Sequence, residues 1–279
     1  SLGIPVIHAL AGLGQNLMEH PSIAVAAYLS PAARNRDALE HHEQAIWRYS
    51  SDLPGTPSGD MHAAILARSG WHSVGNRIGS LFFWVNKSYS RGVVSLSSPN
   101  DNIEPDVDFR MLSDERDLSR LKDAVRKGAT ILSDPHMREF AGTVFPSSYT
   151  PRVAKVAMPG TWNAFQRGAL SAMLDAAGPL RTALIHTAIT SGISIKSLLE
   201  DDAELTSFVR HHVGGTWHPS GTCRMGAISD HLAVTSAEGY VYGVKGLRIC
   251  DASLMPSIPC ANTNIPTIMI AERIADMIK

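Results

Sequence analysis

The stretch from Leu81 to Pro135 constrains the fold more than any other part of the chain. Residues 81–85 (Leu-Phe-Phe-Trp-Val) form a bulky run with β-propensity. Arg91-Gly92-Val93-Val94-Ser95-Leu96 follows, and Asp106-Val107-Asp108-Phe109-Arg110 then alternates apolar and polar residues strictly. A Ser-Ser-Pro-Asn-Asp-Asn loop at 97–102 lies between the last two, which suits antiparallel pairing. A helix is expected from about 114 to 133. Ser113 is placed to cap it, and Asp114 and Glu115 favour its positive end. Leu118, Leu121, Val125 and Leu132 share one face, and Pro135 stops the helix. Consecutive strands followed by helices read as an α+β fold.

The chain has 279 residues, enough for one large domain or two modest ones. Lys and Arg number 25 against 26 Asp and Glu. That balance excludes a generic nucleic-acid binder, which needs a basic excess. A hydrophobic fraction of 44% excludes disorder. No apolar run reaches the ~18 residues that cross a bilayer, and no secretory signal opens the chain. The three cysteines, Cys223, Cys250 and Cys260, are too few and too odd in number for a disulfide framework, so the expected compartment is reducing and cytoplasmic. Ser1-Leu2-Gly3-Ile4-Pro5 has no initiator Met, as in a segment of a longer polypeptide or a processed or tagged terminus.

A short β-like stretch at Ile4, Val6 and Ile7 leads into Gly12-Leu13-Gly14-Gln15-Asn16-Leu17. The third glycine of a dinucleotide fingerprint is replaced by Leu17, so the motif fails. Pro54–Gly59 is a turn-rich connector. Residues 146–165 read as an irregular loop, with a wall or lid over a pocket as the alternative. Asp201-Asp202-Ala203-Glu204 is a carboxylate version of the capping box, opening a helix that turns Leu205, Phe208 and Val209 inward. Residues 239–250 read as a hairpin ending in the strand Gly246–Cys250. A last helix from Ile265 places Ile265, Ile268, Met269, Ile274 and Ile278 near one stripe, with Pro266 in its first turn and Asn264 able to cap it.

Of the 12 histidines, His41-His42 and His211-His212 are adjacent pairs that chelate poorly, and no HExxH or CxxC pattern occurs, so no metal site is expected. The informative stretch is Trp217-His218-Pro219-Ser220-Gly221-Thr222-Cys223-Arg224-Met225-Gly226. A His between a bulky aromatic and a proline on glycine-studded backbone is either presented at a fixed spot or solvated on a loop. Asp251 is read as ending a strand, where open α/β sheets bind ligands. Asn262 both donates and accepts a hydrogen bond, so it suits an alcohol oxygen.

These segments, in this order, resemble the glucose–methanol–choline (GMC) family of flavin oxidoreductases, C-terminal half only. Residues 3–20 are similar to the stretch after that family's second signature, and residues 90–96 to the opening of its substrate domain. Residues 218–226, 246–253 and 262–272 match its closing segments. The resemblance implies an antiparallel substrate-binding domain with flanking helices, plus the strands and helix that complete the FAD domain. It divides the chain into a segment returning from the FAD domain (1–22), the substrate-binding domain (23–210) and the catalytic and FAD-completing segments (211–279). It implies His218 as catalytic base with Asn262 as its partner, and Trp217, Asp251, Ala252, Thr263 and Asn264 near the FAD cofactor. The family's Rossmann-like half with its G-x-G-x-x-G strand–helix turn is not in the sequence, so that half is expected from elsewhere in the same polypeptide or from a separate chain. The implied activity is hydride transfer from a primary alcohol, aryl or furanic, to FAD. A choline-type dehydrogenase, a hydroxynitrile lyase on the same fold and an inactive binding module are the alternatives, and a homo-oligomer is left open.

Overall fold

The computed structural model describes residues 2–35, 37, 39–147, 155 and 157–278. Its centre is a five-stranded sheet in the order β2-β3-β4-β1-β7, formed by β1 (Ser22–Leu29), β2 (Glu43–Tyr49), β3 (Met61–Leu66), β4 (Ile78–Val85) and β7 (Ala141–Ser147). Every neighbouring pair is antiparallel. β5 (Val93–Ser95) and β6 (Asp106–Asp108) pair with each other in a separate two-stranded ribbon. The fold is α+β.

β1 (SIAVAAYL) is buried on both faces, and only Leu29 at its end is partly exposed. Its composition explains why: small alanines alternate with Ile, Val and Tyr, so either face packs closely. Ile23, Val25 and Ala27 meet helix α1 (Glu115–Leu132) and helix Asp202–His212 through Leu121, Val125, Leu205, Phe208 and Val209. Gly128 lets α1 approach the sheet, since a Cβ there would lie 2.8 Å from the Phe83 ring and 3.0 Å from a Val25 methyl. On the other face Ala26 and Tyr28 pack with Phe145, Leu174 and Ile185, the last two from helices Thr161–Ala176 and Arg181–Ala188. The remainder of that second face carries Ser22, Ala24, Ala64, Phe82 and Trp84, which line a cleft.

Beside the sheet, the fully buried Arg120 guanidinium lies between Asp60 (2.9 Å) and Asp117 (2.5 Å). Asp117 also accepts from the Tyr89 and Ser90 amides and the Ser90 hydroxyl. The ion cluster therefore fixes the backbone just before Gly92, which pairs with Leu17 on the way to the cleft.

Several expectations are corrected by tertiary context. α1 is capped by Asp114, whose carboxylate accepts from the Arg116 amide, and not by Ser113. Asp201 caps its helix as expected, accepting from the Ala203 and Glu204 amides, but Glu204 bonds the Ser197 hydroxyl and does not complete a capping box. Ile4, Val6 and Ile7 form no strand, and Val6 and Ile7 are exposed. The supposed loop at 146–165 contains the end of β7 and the start of helix Thr161–Ala176, while 148–154 and 156 lie outside the described residues. Residues 239–250 do fold back on themselves, with Tyr240 bridged to Arg248 and backbone bonds from Val241 to Leu247 and from Ile249 to Gly239, but the expected strand at 246–250 does not form, and Val241 also bridges Thr235. The last helix runs Asn264–Asp276, and of its expected stripe only Ile274 is buried.

Candidate active site

Three irregular segments hold the cleft mouth together. Residues 17 and 18 bridge to Gly92 and Ser220, and Ser22 bridges to Gly214. Beyond Ser220, the amides of Gly221, Cys223 and Met225 donate to the carbonyls of Ala252, Ser253 and Leu254. Gly221 has φ +91, and a Cβ on it would sit 2.6 Å from the Asn16 carbonyl oxygen, so the crossing of these segments requires glycine. His218 is thus pinned between the chain entering β1 and the chain leading to the last helix.

Glu19 organises the loop that carries His218. Its carboxylate accepts from the His218 amide (2.8 Å), the Thr216 amide and hydroxyl (3.3 Å each) and the His20 amide (2.7 Å). Four donors on one carboxylate hold Trp217 at φ +60, a conformation unusual for a bulky residue, and the residue is 87% exposed. The His218 ring is half-buried. Its Nδ1 lies 2.9 Å from Nδ1 of His20 and 2.9 Å from the Thr216 hydroxyl. His20 is fully buried, and its Nε2 donates to the Pro259 carbonyl at 3.1 Å.

Burial lowers the His218 pKa from its ordinary value, with Glu19 pulling weakly the other way. His20 falls further, to about 3, first through burial and then through the neighbouring His218, against the Pro259 and Asn86 carbonyls. Both rings are therefore neutral at pH 7. Between pH 6.5 and about 3 the unfolded chain takes up a proton at residue 20 that the folded chain refuses. Stability is expected to fall as pH drops through that window, by up to ~1.4 kcal/mol per unit from this group. Urea unfolding at pH 7, 6 and 5 should show a shallower slope in His20→Asn than in the parent, and equal slopes would remove His20 as the cause.

The cleft has a volume of about 820 Å3. Its walls are mainly apolar and aromatic, with Phe82, Trp84, Phe109, Trp71 and Met111 prominent, and Trp217, His218 and Asn262 all line it. Asn262 is exposed at the edge. Arg68 and Trp71 belong to the end that lies beyond β3, where the guanidinium rests over the indole at 4.2 Å and bonds the Asp37 and Glu40 carbonyls.

The other expected site residues lie outside that lining. Asp251 does not end a strand. Its carboxylate caps the 3-10 turn Ala252–Leu254 by accepting from the Ser253 amide at 2.8 Å. Thr263 is buried and is the N-cap of the last helix, Asn264 is that helix's first residue rather than its cap, and the Thr263 side chain caps no amide, while its carbonyl accepts from the Thr267 hydroxyl at 2.7 Å. Among the described residues no cluster of His, Cys, Asp or Glu could hold a metal ion, and all three cysteines are free. Glu19 and His20 were not singled out from sequence. Their one signal is a charged and a titratable residue opening an otherwise apolar run, Pro21–Leu29, that must be buried.

The profile described as GMC oxidoreductase matches residues 88–271. A 5-(hydroxymethyl)furfural oxidase from Methylovorus sp. is 38% identical over all of this chain and 45% of its own length. An oxygen-dependent choline dehydrogenase from Chromohalobacter salexigens is 28% identical over 99% of this chain and 45% of its own. Among solved structures, pyridoxine 4-oxidase from Mesorbium loti superposes with a TM-score of 0.67 at 19% identity, covering 99% of this chain and 45% of that one. Formate oxidase from Aspergillus oryzae gives 0.72 at 17% identity, covering 99% and 49%. The chain therefore spans about half the length of the relatives it matches.

Proposed function

Because this chain belongs to the GMC oxidoreductase family, we propose that it supplies the substrate cleft and the catalytic base of a flavin-dependent alcohol oxidoreductase. The observation that carries the reading is His218: a neutral imidazole, pinned by its own amide on Glu19, lining an apolar cleft together with Asn262. An unprotonated ring of this kind suits removal of a hydroxyl proton, and Asn262 can hold the same oxygen by donating its amide N–H. The apolar walls exclude water from that exchange.

The residues present fit a flavin. The last helix presents an N-terminus that no side chain caps, and such an end favours electron-rich ring atoms. Trp217 offers an exposed flat ring beside His218. In this reading Trp217, Thr263 and Asn264 lie against the ring system, and Asp251 and Ala252 serve the ribityl and phosphate end. Bound there, FAD would accept the hydride that leaves the carbinol carbon. The glycine-rich phosphate turn is not among these residues, and the reading assigns it to a complementary FAD-binding half in the same polypeptide or another chain. Leu247, Ile265, Ile268 and Met269 are uncovered apolar residues that such a half would bury. The proposal keeps the division into segments 1–22, 23–210 and 211–279, since all five strands of the sheet and the helices packed on it fall between 22 and 212.

The substrate proposed is a primary aryl or furanic alcohol. Phe82, Trp84, Phe109 and Trp71 make flat apolar walls, and the relative at 38% identity is named for a furanic alcohol. A cytoplasmic location belongs to the same proposal, supported by three unpaired thiols. Among the described residues no helix is long and apolar enough to cross a membrane.

Anaerobic mixing of the flavin-loaded enzyme with 5-(hydroxymethyl)furfural or benzyl alcohol should bleach the flavin absorbance. Unchanged absorbance with every primary alcohol tried would remove the oxidoreductase reading. Asn262→Ala is expected to depress turnover while the flavin-to-protein ratio stays near that of the parent. Asp251→Ala should do the reverse, because losing the Ser253 contact loosens the 252–254 turn. Flavin loss in the Asn262 variant with normal flavin in the Asp251 variant would exchange the two assignments.

A further inference from the structure

The hydrogen bonds behind His218 run in one direction only, because both ends of the chain are pure acceptors. At one end the Pro259 carbonyl lies 3.1 Å from His20 Nε2, so Nε2 carries the His20 proton. A neutral His20 then has only a lone pair on Nδ1, and this atom sits 2.9 Å from Nδ1 of His218. At the other end the Glu19 carboxylate accepts the Thr216 hydroxyl proton at 3.3 Å, which leaves that oxygen to accept in turn at 2.9 Å from the same His218 nitrogen. Both neighbours ask His218 Nδ1 to donate. The opposite arrangement would set a lone pair of buried His20 against the Pro259 carbonyl and leave two buried polar groups unsatisfied.

We infer that His20 is a positioning residue that locks His218 as the Nδ1–H tautomer, leaving Nε2 as its only basic nitrogen. The inference rests on the reading of His218 as base and deepens it. Nε2 makes no hydrogen bond among the described residues, and His218 lines the cleft, so the lone pair available to a substrate hydroxyl is on this atom. When Nε2 gains the hydroxyl proton, the imidazolium keeps its Nδ1–H bond to His20, so the ring does not turn during the transfer. His20 suits the task because burial keeps it neutral: a protonated His20 would present a second donor, and a second positive charge, to its neighbour.

The test needs no flavin. Long-range proton–nitrogen correlation on the 15N-histidine-labelled chain at pH 7 distinguishes a protonated ring nitrogen from one with a lone pair. The expected spectrum has His218 protonated on Nδ1 and His20 on Nε2. In His20→Leu the ring acceptor is gone and only the Thr216 hydroxyl remains at 2.9 Å, so His218 should gain a measurable share of the Nε2–H tautomer. In His20→Asn the amide oxygen takes the place of Nδ1, and the Nδ1–H form of His218 should return. A parent His218 protonated on Nε2, or an unchanged tautomer in His20→Leu, would overturn the inference. In the flavin-loaded enzyme, His20→Leu should lower kcat roughly 10²-fold with little change in KM, as expected when a reacting group is slightly misplaced. His20→Asn should recover most of that loss, whereas equal losses in both variants would indicate packing alone and count against the lock. An enzyme that oxidised no alcohol would sink the alcohol reading and leave the tautomer spectra to decide on His20.

Discussion

Replacing His218 with alanine is expected to lower turnover of the flavin-loaded enzyme by about 10²–10⁴-fold, the contribution of a well-placed general base, while bound flavin is largely retained. The side chain stands on a loop whose shape comes from backbone amides bonded to Glu19, and those bonds survive removal of the imidazole. The pH dependence in the parent follows with a definite sign. Burial holds His218 below its ordinary pKa, so the free base persists as pH falls past 6.5, and activity declines only once pH drops through the lowered value. Stopped-flow flavin reduction across pH 5–8 measures both effects. Near-parent reduction rates in His218→Ala, or a rate that rises as pH falls, would take His218 out of the proton transfer.

The largest stability effect is expected at Arg120. Its guanidinium is fully buried, bonded to Asp60 and Asp117 and to the Lys87 carbonyl at 3.0 Å. Arg120→Met keeps most of the volume but leaves two buried carboxylates without their cation, which costs about 3–5 kcal/mol. Asp117 retains the Tyr89 and Ser90 amides and Asp60 retains Ser51, so each carboxylate stays tethered in the interior and cannot swing out to water. Urea unfolding of the parent and Arg120→Met reads the loss directly. A change below about 1 kcal/mol, the range of a solvated surface pair, would show that water reaches the cluster. Because the cluster fixes Ser90 and hence the Gly92–Leu17 bridge, partial unfolding should loosen the segment that carries Glu19 and His20 first.

Much of this protein was legible from sequence where the signal is local. The α1 stripe of Leu118, Leu121, Val125 and Leu132 is buried as its 3.6-residue spacing demands, and Leu205, Phe208 and Val209 turn inward behind the Asp201 cap. β5 and β6 pair across the 97–102 loop because alternation and loop composition act within one hairpin. The family likewise declares itself in short ordered motifs, and the profile match over 88–271 agrees.

Other features depended on contacts between residues far apart in the chain. β1 shows no alternation because both its faces are covered, and a single sequence does not say which helices arrive to cover them. In sequence Ser113 reads as the cap of α1, and the bond from the Arg116 amide gives that place to Asp114. Asp251 looks like a strand end, yet the neighbouring 220s segment pairs with the turn that follows it and no strand forms. The sequence by itself placed a histidine between Trp217 and Pro219 on irregular, glycine-studded backbone, presented or solvated, and only the family resemblance made Asn262 its candidate partner. Only the tertiary structure decided that Glu19 would hold that backbone and that His20 would stand behind the ring. Those partners lie almost 200 positions away, and their hydrogen bonds exist only after the β1 entry segment, the 214–222 loop and the 256–262 stretch have packed into one place. Local propensity carries no record of such long-range pairing, whereas hydrogen-bond direction, burial and the loss of solvent around a titratable ring are properties of the assembled fold.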